Sequence, residues 1–436
     1  MKDKQNAILN WINNNEDKII SFLQELLQIP SVNPWFTDDT SVTNEKEVQE
    51  MIAMYMESLG AEIDMWEPNA AELSEYTGMP GYVADRDFTG RPNLAAKIKG
   101  EGNGKSLLLF GHIDTVKAAS GWTKDPFGGH IENGKIYGRG SVDMKGGVAA
   151  MIMALKAIQE VGITLPGSVT VGTVVEEESS GMGALAFADR GYVTDAAMVT
   201  EPTGMKVAPL CRGILWGKIT LKGRSGHIEL PQGDWRKGEA VDAIEKTRYL
   251  LDQIDLLNED WALRKTHPLL SVPCQMLVGQ VIAGEYPSSF ANKSEIYFNA
   301  QYLPSERDEV GGGGNVKKEI ETFIKNSIQN DPWLKENPPV IEWLVNADCG
   351  EVSADHEFVK TCQKSLEEIG EEPLLEGCYF HTDMGWLERV GIPTLNFGPG
   401  NPREAHQNDE SLHIDELINA TKMIAFTILD WCSREK

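Results

Sequence analysis

Apolar residues recur at helical spacing over 16–28 (EDKIISFLQELLQ), stopped by Pro30, and over 45–59 (EKEVQEMIAMYMESL), stopped by Gly60. A polar stretch rich in turn-forming residues follows at 67–93 and reads as a long surface loop. Beyond it the texture changes to short, unbroken apolar runs: SLLLF (106–110), SVTVGTVV (168–175) and AAMVT (196–200). A helical pattern at 146–160 (GGVAAMIMALKAIQE) lies between the first two. Strands that are apolar throughout and alternate with helices predict an α/β layer, a largely parallel sheet flanked by helices.

From about residue 213 the pattern changes again. Strand-like ILWGKITLKG, a helix near 237–257, strands near 273–282 and 293–303, and a helix near 315–328 after Gly311–Gly314 describe an α+β segment. The α/β texture then returns with a helix at 355–369, the strand IPTLNF (392–397) and a terminal helix near 413–431. The predicted organisation is a first domain built from 1–211 and 349–436, interrupted by an inserted domain at 212–348. Length supports two cores, since 436 residues exceed the roughly 250–300 that one hydrophobic core sustains.

Composition narrows the function classes. With 41% hydrophobic and 24% charged residues the chain folds, and 66 acids against 40 bases give a formal charge of −26. That charge repels phosphate backbones and anionic lipid, so neither nucleic acid nor a membrane surface is an expected partner. The first residues, MKDKQNAILNWINNNEDK, lack the apolar core of a signal peptide, and a cytoplasmic location is expected. Cys211, Cys274, Cys349, Cys362, Cys378 and Cys432 show no metal-type spacing and read as reduced core thiols.

The chemistry lies where the apolar strands end. SLLLF runs into Gly111-His112-Ile113-Asp114, VTVGTVV into Glu176-Glu177-Glu178, AAMVT into Glu201-Pro202, and IPTLNF into Gly398-Pro399-Gly400 with His406 soon after. Open α/β sheets bind ligands at the carboxyl ends of their strands. Asp143, in YGRGSVDMKGG, adds another acid, and no matching basic residues accompany these segments. Gathering so many carboxylates in a half-buried crevice costs several kcal/mol each unless a counter-charge is present. Two divalent ions bring four positive charges; Asp143, Glu178 and Glu201 bring three negative ones, and a bridging hydroxide closes the balance. In His112-x-Asp114, alternation along an extended chain puts both side chains on one side, so the Asp114 carboxylate is expected to accept the second imidazole N–H.

GHIDTV, YGRGSVDMKGG, VVEEES, VTEPT and the pair FGPG with AHQNDE resemble the motifs of the dinuclear zinc aminoacylase family. That family includes acetylornithine deacetylase, succinyl-diaminopimelate desuccinylase, aminoacylases and carboxypeptidase G-type enzymes. The match is dense over 105–204 and 377–419 and sparser in the insert. The resemblance implies His112 and Glu201 on one zinc, Glu178 and His406 on the other, Asp143 bridging, and Glu177 as general base, with cobalt or manganese as other candidate metals. Glu176 falls outside the metal shell. Glu201, where many di- and tripeptidases carry Asp, tilts the reading toward deacylation.

Each motif alone has a plainer reading. GHID is a common turn after a strand, EEES a common solvated charge run, and the glycines of YGRGSVDMKGG resemble a phosphate loop without its Lys-Ser/Thr ending. Their shared order favours a single site. His130, His267, His356 and His413 lack a partner pattern and read as surface or core residues. His227, in GRSGHIELPQGD, resembles the insert-domain histidine that completes a neighbouring subunit's site and stabilises an oxyanion. The insert is accordingly expected to act as a lid and dimerisation domain in a homodimer. His381 and Asp383, in CYFHTDMGW, lie where the resemblance implies a substrate-side loop and are equally open to a structural role.

EIYFNAQYLPSE resembles a family strand ending Asp-x-Arg-x-x-Pro, but Gln301 stands in the arginine's place. In several deacylases that arginine binds the substrate carboxylate, which suits its bidentate fork. Either Arg212 or Arg224 takes over, the preferred reading because these bases flank the His227 segment, or the substrate lacks a carboxylate, as formylated aminopyrimidines do. Asn292 completes the candidate substrate-binding set. The expected activity is a metal-dependent amidohydrolase that removes an N-acyl group from an amino acid or related small amine. A dipeptidase or carboxypeptidase with the same metals is the alternative, and a binding protein without catalysis a third.

Overall fold

Six strands form the main sheet of the first of two units, in the spatial order Glu62–Trp66, Asn93–Ile98, Val169–Val174, Leu107–His112, Ala197–Val199 and Thr394–Asn396. The computed structural model describes residues 1–436; this unit comprises Met1–Cys211, Gly350–Cys378 and Thr382–Lys436. The last four strands run parallel; Asn93–Ile98 runs opposite to them and pairs antiparallel with both Val169–Val174 and the edge strand Glu62–Trp66. Every residue of the parallel strands is buried, which is why they read as continuous apolar runs and not as alternating ones. Each Leu or Val so enclosed stabilises the fold by about 1.5–3 kcal/mol relative to exposure.

Helices Lys145–Glu160 and Ile414–Cys432 pack together and against the sheet, joined by Glu16–Leu27 and Glu357–Ile369. Gly147 allows the first of these to approach closely. A Cβ there would lie 1.9 Å from the carbonyl oxygen of Thr200, so only glycine seats the helix against the end of strand Ala197–Val199.

The second unit, Arg212–Cys349 with Tyr379–His381, holds an antiparallel sheet in the order Met276–Ala283, Lys293–Tyr302, Gly213–Lys222 and Val340–Ala347. Strand Gly213–Lys222 alternates buried and half-buried positions, with Leu215, Ile219 and Leu221 turned into a core shared with helices Ala243–Arg264 and Gly314–Ser327.

The mixed α/β class read from the sequence is observed, and four local readings change. The helix expected at 237–257 spans Ala243–Arg264: Gly238 is left-handed (φ 99°) after a short turn at Trp235–Lys237, and Asp242 caps the true start by accepting the Ile244 N–H. The supposed surface loop at 67–93 sends Arg91 inward to 7% exposure. Helix Lys2–Asn14 was hidden by polar residues around its buried Ile8 and Ile12. Helix Met182–Asp189 is buried almost throughout and so carries no amphipathic pattern. All six cysteines are buried free thiols, and no helix is long and apolar enough to cross a membrane.

Candidate active site

Because strands Val169–Val174, Leu107–His112 and Ala197–Val199 are parallel, their carboxyl ends share one edge of the sheet. His112 closes Leu107–His112, Glu176–Glu178 follow Val169–Val174, and Glu201 follows Ala197–Val199. Asp143 precedes helix Lys145–Glu160, and His406, at φ 61°, follows the turn Pro402–Glu404. His112, Asp143 and Glu201 offer ligand atoms within 4.8 Å of one another, and so do Asp143, Glu178 and His406. Asp143 belongs to both groups: its Oδ1 lies 3.2 Å from His112 Nε2 and its Oδ2 3.3 Å from His406 Nε2. His406 Nε2 lies 3.1 Å from Glu178, while His112 Nε2 lies 3.7 Å from Glu201 and 3.9 Å from Glu177. Two overlapping sets of imidazole and carboxylate donors are chemically suited to a pair of divalent cations.

The electrostatics point the same way. Burial pushes the Glu177, Glu178 and Glu201 carboxyls up, and their mutual repulsion adds to it. Burial also works to raise Asp143, but hydrogen bonds with His112 and His406 outweigh it and hold that carboxyl well below its usual range. For the imidazoles burial opposes protonation and loses: Glu178 and Asp143 lift His406 to about 11, and Asp143 with Glu201 lifts His112 well above its ordinary value. The cluster draws positive charge from any source, and without a cation it takes protons.

A second layer positions these groups, and here Asp114 departs from expectation. His112 Nδ1 meets the main-chain oxygen of Asp114 at 2.9 Å, while the Asp114 carboxylate stands off at 3.6 Å. The strand ends at His112, so alternation no longer governs residue 114. The carboxylate accepts from Asn33 Nδ2 (2.8 Å) and from the N–H groups of Glu177 and Glu178 (3.3 Å each). Bases are present after all, but they serve this layer: Arg86 and Arg91 pair with Glu176, and Arg139 with Glu410. Glu410 also accepts the N–H groups of Gly140, Val142 and Asp143, and burial lifts its carboxyl to about 7. Lys145 Nζ donates to the carbonyls of Leu26 and Ile29 at 2.9 and 2.8 Å, fixing the segment on the other side of Asp143. Asn33, Arg86, Arg91, Lys145 and Glu410 were given no role from the sequence; Lys145, inside YGRGSVDMKGG, and Glu410, which closes AHQNDE, carried a local signal.

The remaining candidates fall into two groups. Asp383, buried ahead of helix Met384–Arg389, lies near enough to Glu177 and Glu201 to help raise both. The others belong to the second unit. Arg212, 1% exposed, donates from Nη1 to Gln301 Oε1 (2.8 Å) and from Nη2 to the Val272 carbonyl, beneath the Tyr379 ring. Arg224 Nη1 donates to the carbonyls of Trp235 and Glu239 at 2.6 and 3.1 Å. His381 Nδ1 meets the Asp348 carbonyl at 2.9 Å. Asn292 is exposed and uses its main-chain oxygen to accept the Gly223 N–H. His227 is exposed on a segment that bridges to Ser289. Among the histidines set aside, His356 caps helix Glu357–Ile369 by accepting the Phe358 N–H.

Comparison with known proteins gives a consistent frame. The family described as peptidase family M20/M25/M40 matches residues 108–430. The N-formyl-4-amino-5-aminomethyl-2-methylpyrimidine deformylase of Halalkalibacterium halodurans is 29% identical over 452 aligned residues, covering 98% of each chain. The acetylornithine deacetylase of Proteus mirabilis is 26% identical, covering 96% of this chain and 97% of its own. Among solved structures, the Saccharomyces cerevisiae di-peptidase Dug1p superposes over the whole of both chains with a TM-score of 0.73 at 14% identity, a likeness of fold.

Proposed function

The chain belongs to peptidase family M20/M25/M40, and from that premise we propose a metal-dependent amidohydrolase that removes a small N-acyl group, formyl foremost, from a primary amine without a carboxylate. The observation that carries this reading is the Glu177 carboxylate, its side chain only 10% exposed, beside the shared cluster of His112, Asp143, Glu178, Glu201 and His406. His112, Asp143 and Glu201 would hold one divalent ion, and Asp143, Glu178 and His406 the second, zinc being the metal best matched to this donor set. Bound there, such ions polarise an amide carbonyl and acidify water.

The chain's own groups handle the proton. Glu177, made more basic by burial, takes a proton from the attacking water and hands it to the departing amine nitrogen as the C–N bond breaks. Asp114 holds the main chain of Glu177 and Glu178 in place through the process.

The substrate reading follows from Gln301. Arg212 occupies its amide oxygen, so what Gln301 offers is an NH₂ donor, suited to a neutral acceptor. Arg212 is buried on neutral partners and Arg224 is engaged by main-chain carbonyls, which favours a substrate without a carboxylate over replacement of the missing arginine. The formylated aminomethylpyrimidine in the name of the full-length relative has this character.

Turnover of that formamide should be compared with N-acetylornithine, an N-succinyl amino acid and dipeptides. The formamide should lead in kcat/KM by at least about tenfold, roughly 1.4 kcal/mol. Equal or better hydrolysis of dipeptides would replace this reading with a peptidase, and a lead for the N-acyl amino acids would restore a carboxylate-binding role.

A further inference from the structure

Glu176 is fully buried at φ 74°, a backbone region where residues with a Cβ are uncommon and glycine sits freely. Its carbonyl accepts the N–H groups of Ser180 (3.2 Å) and Gly181 (2.9 Å), so the chain turns sharply beside Glu177 and Glu178. What keeps a glutamate there is its carboxylate. Arg86 Nε lies 2.8 Å away, an ion pair whose N–H is not aligned as a hydrogen bond, and Arg91 Nη1 lies at 2.6 Å. Ser179 Oγ donates at 2.5 Å and Asn33 Nδ2 at 3.3 Å.

The contacts continue outward and back again. Arg91 turns its other nitrogens to Glu45, Nη2 at 3.0 Å and Nε closer still, and Glu45 is itself fully buried. Asn33 Nδ2 also reaches Asp114 Oδ2, the carboxylate that receives the Glu177 and Glu178 N–H groups. Asp114 therefore grips this segment by its main chain and Glu176 by its side chain, and Asn33 ties the two grips together.

Stability alone is a poor account of such a cluster, because apolar residues of similar volume commonly stabilise a core as well as buried ion pairs do. We infer that Arg91, with Arg86, Glu45 and Asn33, is a positioning assembly that holds Glu176 in its turn and thereby sets the placement of Glu177 and Glu178. The inference rests on the proposed roles of those two glutamates. Partners of this kind commonly shift metal affinity or activity by about 10–100-fold when altered.

The test uses the isosteric Glu176→Gln, the charge-preserving Arg91→Lys, and Asn33→Ala, which cuts the tie and leaves every charge in place. Each is measured three ways: thermal melting, Co²⁺ titration of metal-free protein followed by visible absorption, and kcat and KM on the N-formyl amine. The expected result is a Co²⁺ affinity lower by about tenfold at one of two sites and a kcat lower by about tenfold or more, with KM within about twofold. Arg91→Ala, measured in the same three ways, should lose more, and Arg91→Lys should recover part of that loss. A folded Glu176→Gln or Asn33→Ala with wild-type Co²⁺ affinity and kcat overturns the inference, as does a lowered melting temperature with both unchanged. If wild-type protein hydrolyses none of the amides, the functional reading fails, while the Co²⁺ titration still decides positioning.

Discussion

Glu177 and Glu178 are neighbours with the same side chain, and their different surroundings support the different roles proposed for them. Glu178 lies 3.1 Å from His406 and shares a ligand group with Asp143, whereas Glu177 lies 3.9 Å from His112 and belongs to neither of the two groups that contain Asp143. Glu177→Gln is therefore expected to keep its metal and its melting temperature while kcat falls by about 10²-fold or more. Metal analysis beside steady-state kinetics checks this, and near wild-type turnover would exchange the roles of base and ligand. Gln301 gives a complementary gain-of-function test. Gln301→Arg should shift preference toward acylated amino acids by about tenfold in kcat/KM, the scale of one charge-assisted contact. Comparing each N-acyl amino acid with its carboxamide reads that shift, and no change would remove Gln301 from substrate binding.

At the scale of elements, the site depends on how closely helix Lys145–Glu160 meets the strand that leads to Glu201. Gly147→Ala places a methyl group 1.9 Å from a main-chain oxygen, which no rotamer can relieve. Overpacking of this kind costs about 1–3 kcal/mol, and the atoms that must yield belong to Thr200, next to a candidate ligand. Melting temperature and Co²⁺ affinity should fall together; a lowered melting temperature with unchanged affinity would separate the helix contact from the site. The glycines of YGRGSVDMKGG, open in sequence to a phosphate-loop reading, owe at least this member to helix packing. The strands were legible because four of them are parallel and enclosed on both faces, which forces unbroken apolar runs. Strand Glu62–Trp66 at the sheet edge, with exposed and half-exposed residues, carried no such pattern.

For the whole molecule, the second unit carries apolar residues that its own core leaves uncovered. Leu277, Val281 and Ile282 of the outer strand Met276–Ala283 are 44–47% exposed, and Ile228 and Leu230, beside His227, are 45% and 59% exposed. An edge strand with exposed apolar side chains is a natural pairing surface, which supports the proposal of a homodimer to which His227 contributes in trans. Mixing inactive His227→Ala with inactive Glu177→Gln protein should restore part of the activity once subunits exchange, because one hybrid site regains both residues. Exchange without recovery, or a fully active monomer, would count against sharing. Prolonged chelation should abolish activity and added Zn²⁺ restore it, an outcome that activity indifferent to chelators would reverse.

The gathering of the candidate metal ligands and the α/β class could be read from sequence because both depend on local facts: apolar runs end in acids and histidines, and parallel strands bring those ends to one edge. His112, Asp143, Glu177, Glu178, Glu201 and His406 each sit within a few residues of such an end or within a compact motif. The supporting layer could not be read this way. Arg91 and Glu45 lie far along the chain from Glu176, in segments that look like an exposed loop and an ordinary amphipathic helix. Burial is a property of the folded chain, and only the fold shows which arginine has left the solvent. Asp114 makes the same point over a distance of two residues. Sequence spacing turned its carboxylate toward His112, but the strand stops at His112, two residues before it, and Asn33 with the Glu177 and Glu178 amides draws the carboxylate away. Local pattern determined which groups meet; the packing of distant segments decided how each of them is held.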